Sequence, residues 1–299
     1  MTSRKILVRL ALSLGIAALL VWWLVSQGFD VVPSADAIGR TLGGASIALY
    51  AAMFTVFHLL RAARWHFLIR PLARVSLRTL IATALVGFAA IQMLPLRTGE
   101  LARPVLLDRY TGVSKSALFG TIAIERVVDG LLVSLALSAA LFTVPADAGP
   151  YVWGLRVVPV ALFAAALGLL VAFVARPRVV GRLLERVLGA ISPRLAGFVG
   201  GVLERFHRGL AALPNPAAFW RFVAVSLLYW GVNAAAFFAL ARGAGLDLPF
   251  AGAVAGMGCL AVGILLPAGP GYFGNFQVAV LAALEMTLDG AAEAERVAV

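Results

Sequence analysis

The chain has 299 residues, 62% of them hydrophobic and only 13% charged, with a mean hydropathy of +0.97 and a formal net charge of +11. A soluble domain carries roughly 45–50% apolar and about 25% charged residues, so an ordinary water-soluble core is excluded. The cations are nearly all Arg and collect in short loops between apolar stretches, which is the pattern of a polytopic membrane protein facing anionic lipid and not of a nucleic-acid binder.

A retained first span is expected at 7–26. Arg4, Lys5 and Arg9 precede its apolar run, and Ser26-Gln27-Gly28 is not a small-x-small cleavage site. A second span at 43–61 leads into a turn holding Arg61, Arg64, Arg70, Arg74 and Arg78. The next apolar segment, 77–110, is broken by Pro95 and Gly99 and followed by Arg103, Arg109 and Lys115. Cations of cytoplasmic character on both sides make it a re-entrant hairpin that enters and leaves by the inner face.

Spans at 116–143 and 152–175 follow, joined outside by the loop around Asp147 and Pro150. Residues 178–213 repeat apolar side chains at helical spacing between Arg182, Glu185 and Arg186, with Pro193 dividing two helices. They read as a basic amphipathic pair on the inner leaflet, or as a linker on the soluble side. A span at 218–241 then leads to 250–287, broken at Pro267, Gly269, Pro270 and Gly271. That segment ends near the acidic residues Glu285, Asp289, Glu293 and Glu295, so it reads as a second hairpin entered from outside.

With the N-terminus in the cytoplasm, 20 of the 25 Lys and Arg residues lie inside, 4 lie outside and Arg126 lies within a span. Trp22, Trp23 and Trp153 then fall at the outer edge, and Trp65 and Trp220 at the inner edge. The expected fold is an all-α integral membrane bundle with two re-entrant helical hairpins in an inverted-topology repeat. Its regions are 1–42, a first span and external loop; 43–145, the first repeat unit; 146–217, a connecting span and amphipathic helices; and 218–299, the second unit, whose final span is expected to be missing. The location is a cell inner membrane.

The repeat rests on Leu94-Pro95-Leu96-Arg97-Thr98-Gly99-Glu100 and Leu266-Pro267-Ala268-Gly269-Pro270-Gly271-Tyr272, each reading Leu-Pro-x-x-x-Gly at an offset of 172 residues. Paired interruptions in two halves of a membrane protein point to a transporter's binding site. The second element also contains Gly269-x-Gly271-x-x-Gly274, the spacing of a dinucleotide fingerprint, but it lacks the strand that such a loop requires.

The chemistry expected here is anion handling within the bilayer. Half-helices starting at the two breaks would offer free N–H groups and a positive dipole end to a phosphate. Arg97 and Arg103 flank the first break as head-group contacts or, alternatively, as interfacial anchors, with Glu100 and Thr98 beside them. Glu125, Arg126 and Asp129 form an intramembrane charge network in which the carboxylates share one helix face. That network could equally be a structural ion-pair knot holding Arg78, Arg97 or Arg103. Gln92, Tyr272, Asn275 and Gln277 are candidates for groove lining or for hydrogen bonds between helices.

Cys259, alone in an apolar run, reads as packing, and His58, His66 and His207 show no metal-ligand spacing. No metal, cofactor, nucleotide loop or catalytic constellation is expected, so the chain reads as a transporter and not as an enzyme.

The chain also resembles the flippase-like transmembrane region of lysylphosphatidylglycerol synthases and its stand-alone relatives. The resemblance is carried by residues 94–104, by Gly112-Val113-Ser114-Lys115-Ser116, by residues 125–130 and by residues 266–274. It covers the chain from about residue 45 onward, and Gly274 stands where some relatives carry an acid. The resemblance implies movement of an anionic phospholipid or lipid-linked head group between leaflets, without the soluble aminoacyl-transferase domain of the full synthases. The alternatives are an accessory subunit positioning a glycosyl- or aminoacyl-transferase, and an intramembrane enzyme acting on a lipid head group. A homodimer or a partner lipid-modifying enzyme is compatible with the lateral apolar surface.

Overall fold

The computed structural model describes residues 3–26, 28, 44–94, 99–143, 152–176, 179, 181–182, 186, 192, 216–264 and 270–287. Every regular element among them is helical. In chain order the helices are α1 (Ser3–Ser26), α2 (Ala45–Ala63), α3 (Trp65–Ile69), α4 (Leu77–Met93), α5 (Ala102–Thr111), α6 (Lys115–Leu141), α7 (Val152–Ala175), α8 (Pro216–Gly243), α9 (Phe250–Gly263) and α10 (Asn275–Thr287), with a 3₁₀ turn at Pro270–Tyr272 before α10. Pro95, Arg97, Thr98, Pro267, Gly269, most of the expected amphipathic pair and everything after Thr287 lie outside the described residues.

Local chemistry sets the helix ends. Ser76 accepts from the Thr79 backbone N–H at 3.1 Å and starts α4, and Ser114 does the same for Ala117 at 3.3 Å to start α6. Gly112 closes α5 with a φ of +65°, a left-handed C-cap that glycine adopts without steric cost. At the far end of α6, Arg156 donates to the Leu141 carbonyl from Nε (3.1 Å) and Nη2 (2.6 Å), satisfying an acceptor that the helix leaves open.

Three stretches among the described residues are long and apolar enough to cross a membrane: Ala45–Ile69, Val152–Leu169 and Pro216–Gly243. They correspond to the spans expected at 43–61, 152–175 and 218–241. The first runs further than expected, because Arg64 keeps helical angles (φ −60°, ψ −25°) and α3 continues the rod. The crossing expected at 116–143 is α6, a 27-residue helix that is long enough but carries Glu125, Arg126 and Asp129. The expected first span forms α1, 24 residues long.

Helix α8 packs along α2, α6 packs against α7 and α9, α4 pairs with α5, and α9 pairs with α10. Lipid tails are as apolar as Leu, so association in a membrane relies on close contact at small residues. Gly130 faces the Phe163 ring, Gly256 faces Phe237 and Gly258 faces Leu137, each leaving no room for a methyl group. Cys259 is buried as a free thiol among Leu137, Ala255 and Ala283, as a packing role requires.

Helices α4 and α9 have 17 and 14 residues, so they reach about 26 and 21 Å, less than the roughly 30 Å of a hydrocarbon core. After α4 the chain returns onto the helix it has just left. Gly99 lies so close to the Ala90 carbonyl that a Cβ there would overlap backbone atoms. Gly99→Ala is therefore expected to lower stability by about 1–3 kcal/mol, the usual cost of overpacking, read as a reduced melting temperature in detergent. An unchanged melt would mean that this contact is not close.

The turn after α9 is strained. Tyr272, a non-glycine residue, has a φ of +60°. Gly274 (φ +88°) presses against the Leu20 side chain of α1. The turn also touches α4, so the ends of the two helix pairs meet each other and α1.

Candidate functional site

The polar centre of the bundle is built on α6. Glu125 is 0% and Asp129 5% exposed. Ten residues separate Glu125 from the start of α6, about 15 Å of rise along a helix of about 40 Å. Four residues apart, the two carboxylates lie on one face, as their spacing predicts.

Their principal partner is Arg64, which sequence reasoning assigns to the cytoplasmic turn. That assignment is corrected here: Arg64 is 0% exposed and points into the bundle. Its Nη1 and Nη2 donate to Asp129 Oδ1 and Oδ2 at 2.6 Å each, a two-pronged pair. Nη1 also reaches Ser226 Oγ of α8 at 2.5 Å, and Nη2 lies 3.2 Å from Glu125 Oε1. The guanidinium rests on the faces of Phe222 (4.9 Å) and Tyr229 (4.2 Å). Trp230 Nε1 donates to Asp129 Oδ1 at 3.2 Å.

Arg103, 2% exposed, pairs with Glu125 through Nη1 (3.1 Å to Oε1) and Nη2 (3.0 Å to Oε2). It stacks over Trp65 at 4.2 Å and Phe88 at 4.9 Å. The side chain passes through a slot at Gly87, where a Cβ would overlap Arg103 Cγ. Gly87→Ala is accordingly expected to push Arg103 off Glu125 and lower the melting temperature, whereas a parent-like melt would show that Arg103 can reroute.

Trp65 is a second correction. Expected at the inner membrane edge, it is 0% exposed and donates from Nε1 to Thr121 Oγ1 at 2.9 Å. The edge positions of Trp22, Trp23, Trp153 and Trp220 are all exposed.

Two further guanidiniums border the cluster. Arg126 Nη2 lies 2.8 Å from Glu125 Oε1 and 3.7 Å from Asp129 Oδ2, with 30% of the side chain exposed. Arg61, one helical turn before Arg64, lies over the Phe88 ring at 4.3 Å and has a buried Nε without a hydrogen-bond partner. Among the described residues no carboxylate pairs with Arg61, although Arg126, Glu125 and Asp129 lie within its electrostatic reach.

The remaining candidates are dispersed. Glu100 is half-buried and within electrostatic reach of Arg126. Arg78, considered as a partner of the carboxylates, is exposed and belongs to none of the cluster's ion pairs. Gln92 is exposed and Tyr272 half-buried. Asn275 Nδ2 donates to the Gly263 carbonyl at 3.1 Å, tying α10 back to α9, and Gln277 Oε1 accepts from the Gly274 N–H at 2.9 Å. Pro270 and Gly271 lie in the strained turn. No group of His, Cys, Asp and Glu suited to a metal ion occurs among the described residues.

Residues 6–299 match the family described as the lysylphosphatidylglycerol synthase TM region. The chain belongs to that family. No curated protein and no solved structure matches it. Membership in the lysylphosphatidylglycerol synthase TM family makes this a membrane protein with a lipid-related function. Among the described residues of this family member the buried charges are Arg64, Arg103, Glu125 and Asp129 of this cluster and Arg156, which instead bonds the end of α6.

Proposed function

We propose that the chain is a lipid transporter of flippase or scramblase type, which moves an anionic phospholipid or lipid-linked head group between leaflets. One observation carries this reading. Four guanidiniums (Arg61, Arg64, Arg103 and Arg126) surround two carboxylates (Glu125 and Asp129), and cations still outnumber acids when Glu100 is added. A charge at the bilayer centre costs several kcal/mol, about 2.5–3.5 on insertion scales. An uncompensated excess of cations there is favoured only when an anion visits.

Within this proposal α4–α5 and α9–α10 are half-crossings that re-enter from opposite leaflets, because α4 and α9 are shorter than a full span and the ends of the pairs meet. The N-terminus lies in the cytoplasm. A lipid head slides along the cationic cluster while its tails stay in hydrocarbon, so the head never faces bare lipid. No nucleophile, cofactor or metal takes part, and the protein acts without covalent chemistry.

Liposomes containing purified protein and a fluorescent phosphatidylglycerol test the idea directly. Protein is expected to raise transbilayer movement at least about tenfold over empty liposomes, since every 1.4 kcal/mol taken off the barrier is worth that factor. Equal rates with and without protein would overturn the transport function.

A further inference from the structure

The four arginines differ in what holds them. Arg64 and Arg103 are fully buried, each faces a carboxylate through two nitrogens, and each rests on two aromatic rings. Both are closed off from any visiting ligand and held by charge, although the Nε of each and Nη2 of Arg103 make no hydrogen bond. Arg61 has no ion pair among the described residues, and Arg126 touches only carboxylate oxygens that Arg64 or Arg103 also contact. Arg61 nonetheless lies within electrostatic reach of Arg126.

We infer that Arg61 and Arg126 are the pair that grips the phosphate of the transported lipid, whereas Arg64 and Arg103 are positioning residues that hold Glu125 and Asp129 in place. The inference rests on the lipid-transport reading and assigns it a contact point. Two guanidiniums within electrostatic reach of each other repel until an anion joins them, and guanidinium geometry suits phosphate oxygens. The opening is on the Arg126 side, where 30% of the side chain is accessible while its neighbours are closed. The Tyr229 hydroxyl is buried, has no hydrogen-bond partner and lies within electrostatic reach of both Arg61 and Arg126, so it is a third donor available to the same anion. Phe88 backs Arg61 and keeps its guanidinium from turning away.

This division of labour has an unusual signature in stability. Removing Arg61 relieves repulsion and breaks no ion pair, so Arg61→Gln is expected to melt at or above the parent temperature in a zwitterionic detergent. A purely structural Arg61 predicts a lower melt, and that outcome overturns the assignment.

Binding is read with the full chain as the rise in melting temperature caused by a ligand that binds the folded state. Three probes separate the sources of phosphate: dihexanoyl phosphatidylglycerol, dihexanoyl phosphatidylcholine and free glycerol phosphate. The parent is expected to respond to the phosphatidylglycerol, less to the phosphatidylcholine and not to glycerol phosphate. Arg61→Gln is expected to weaken the phosphatidylglycerol response about tenfold or more in apparent affinity, the scale of a lost hydrogen bond to a charged group, with partial recovery in Arg61→Lys. A response to glycerol phosphate alone overturns the lipid assignment. An unaltered response in Arg61→Gln overturns the pair even if the parent transports lipid. A parent that binds through Arg61 but moves no lipid overturns the transport function and leaves the pair standing.

Discussion

Glu125→Gln is expected to be the most damaging single substitution in the chain. Glu125 lies within 3.2 Å of Arg64, 3.1 Å of Arg103 and 2.8 Å of Arg126, so the change deprives three guanidiniums of a shared counter-charge at once. Removing one partner of a buried pair typically costs about 3–5 kcal/mol, and three partners put the loss at the upper end. The expected readouts are a sharp fall in folded yield on size exclusion and, in any folded fraction, loss of lipid movement. Glu125→Asp keeps the charge on a shorter side chain and should retain more of both. The double variant Glu125→Gln with Arg103→Met removes a stranded cation beside the Trp65 and Phe88 rings, so it should recover part of the lost stability. A single Glu125→Gln variant that melts like the parent would show that the cluster is not held together by this carboxylate.

The stability of such a cluster depends on everything around it being dry and aromatic. Trp65, Phe88, Phe222 and Tyr229 supply ring faces to the two buried guanidiniums and exclude water from their planes. Cation–π contacts of this kind gain about 2 kcal/mol or more when desolvated. They offset some of the cost of burying charge, but they leave ion pairing as the main requirement. That requirement is why α2, α5, α6 and α8 must arrive at one point: each contributes a group to the cluster that the others cannot replace.

The two carboxylates are legible in the sequence because they stand four residues apart inside an otherwise apolar run, where charge is costly unless it is used. Arg64 is not legible, and the reason is physical. Arg61 and Arg64 interrupt the hydropathy of the second span, so the expected helix stops at 61, yet the backbone stays helical through Arg64 and α3 carries the rod to Ile69. Hydropathy cannot distinguish a cation at a helix end in water from one aimed inward. The polar and aromatic stripe Ser226, Tyr229 and Trp230 on α8, at helical spacing, is the signal that could have revealed an inward partner.

The ends of α4 and α9 fall where the sequence turns rich in Pro and Gly, and after α9 the described turn takes positive φ at Gly271. Which side chains serve structure at those turns is not readable from composition. Asn275 and Gln277 look equally suited to a groove, and in the fold they bond to the Gly263 carbonyl and the Gly274 N–H.

Asp129→Asn isolates the pair that the sequence conceals. Asp129 takes both Nη groups of Arg64 at 2.6 Å and the Trp230 N–H at 3.2 Å. An amide can accept on one side only, so its NH₂ would face an Arg64 nitrogen, and Arg64 would keep only Glu125 as counter-charge. The expected loss is about 3 kcal/mol or more. Arg64→Met alone should also destabilise, because Asp129 and Ser226 lose their donor. In the double variant Arg64→Met with Asp129→Leu, neither charge is left stranded, so the combined loss should fall well below the sum of the two single losses. A coupling energy of about 1–3 kcal/mol from this cycle, measured by thermal or denaturant unfolding in detergent, is the range for residues in direct contact. Strict additivity of the two variants would mean that Arg64 and Asp129 do not depend on each other, and the cluster would lose its claim to organise the bundle.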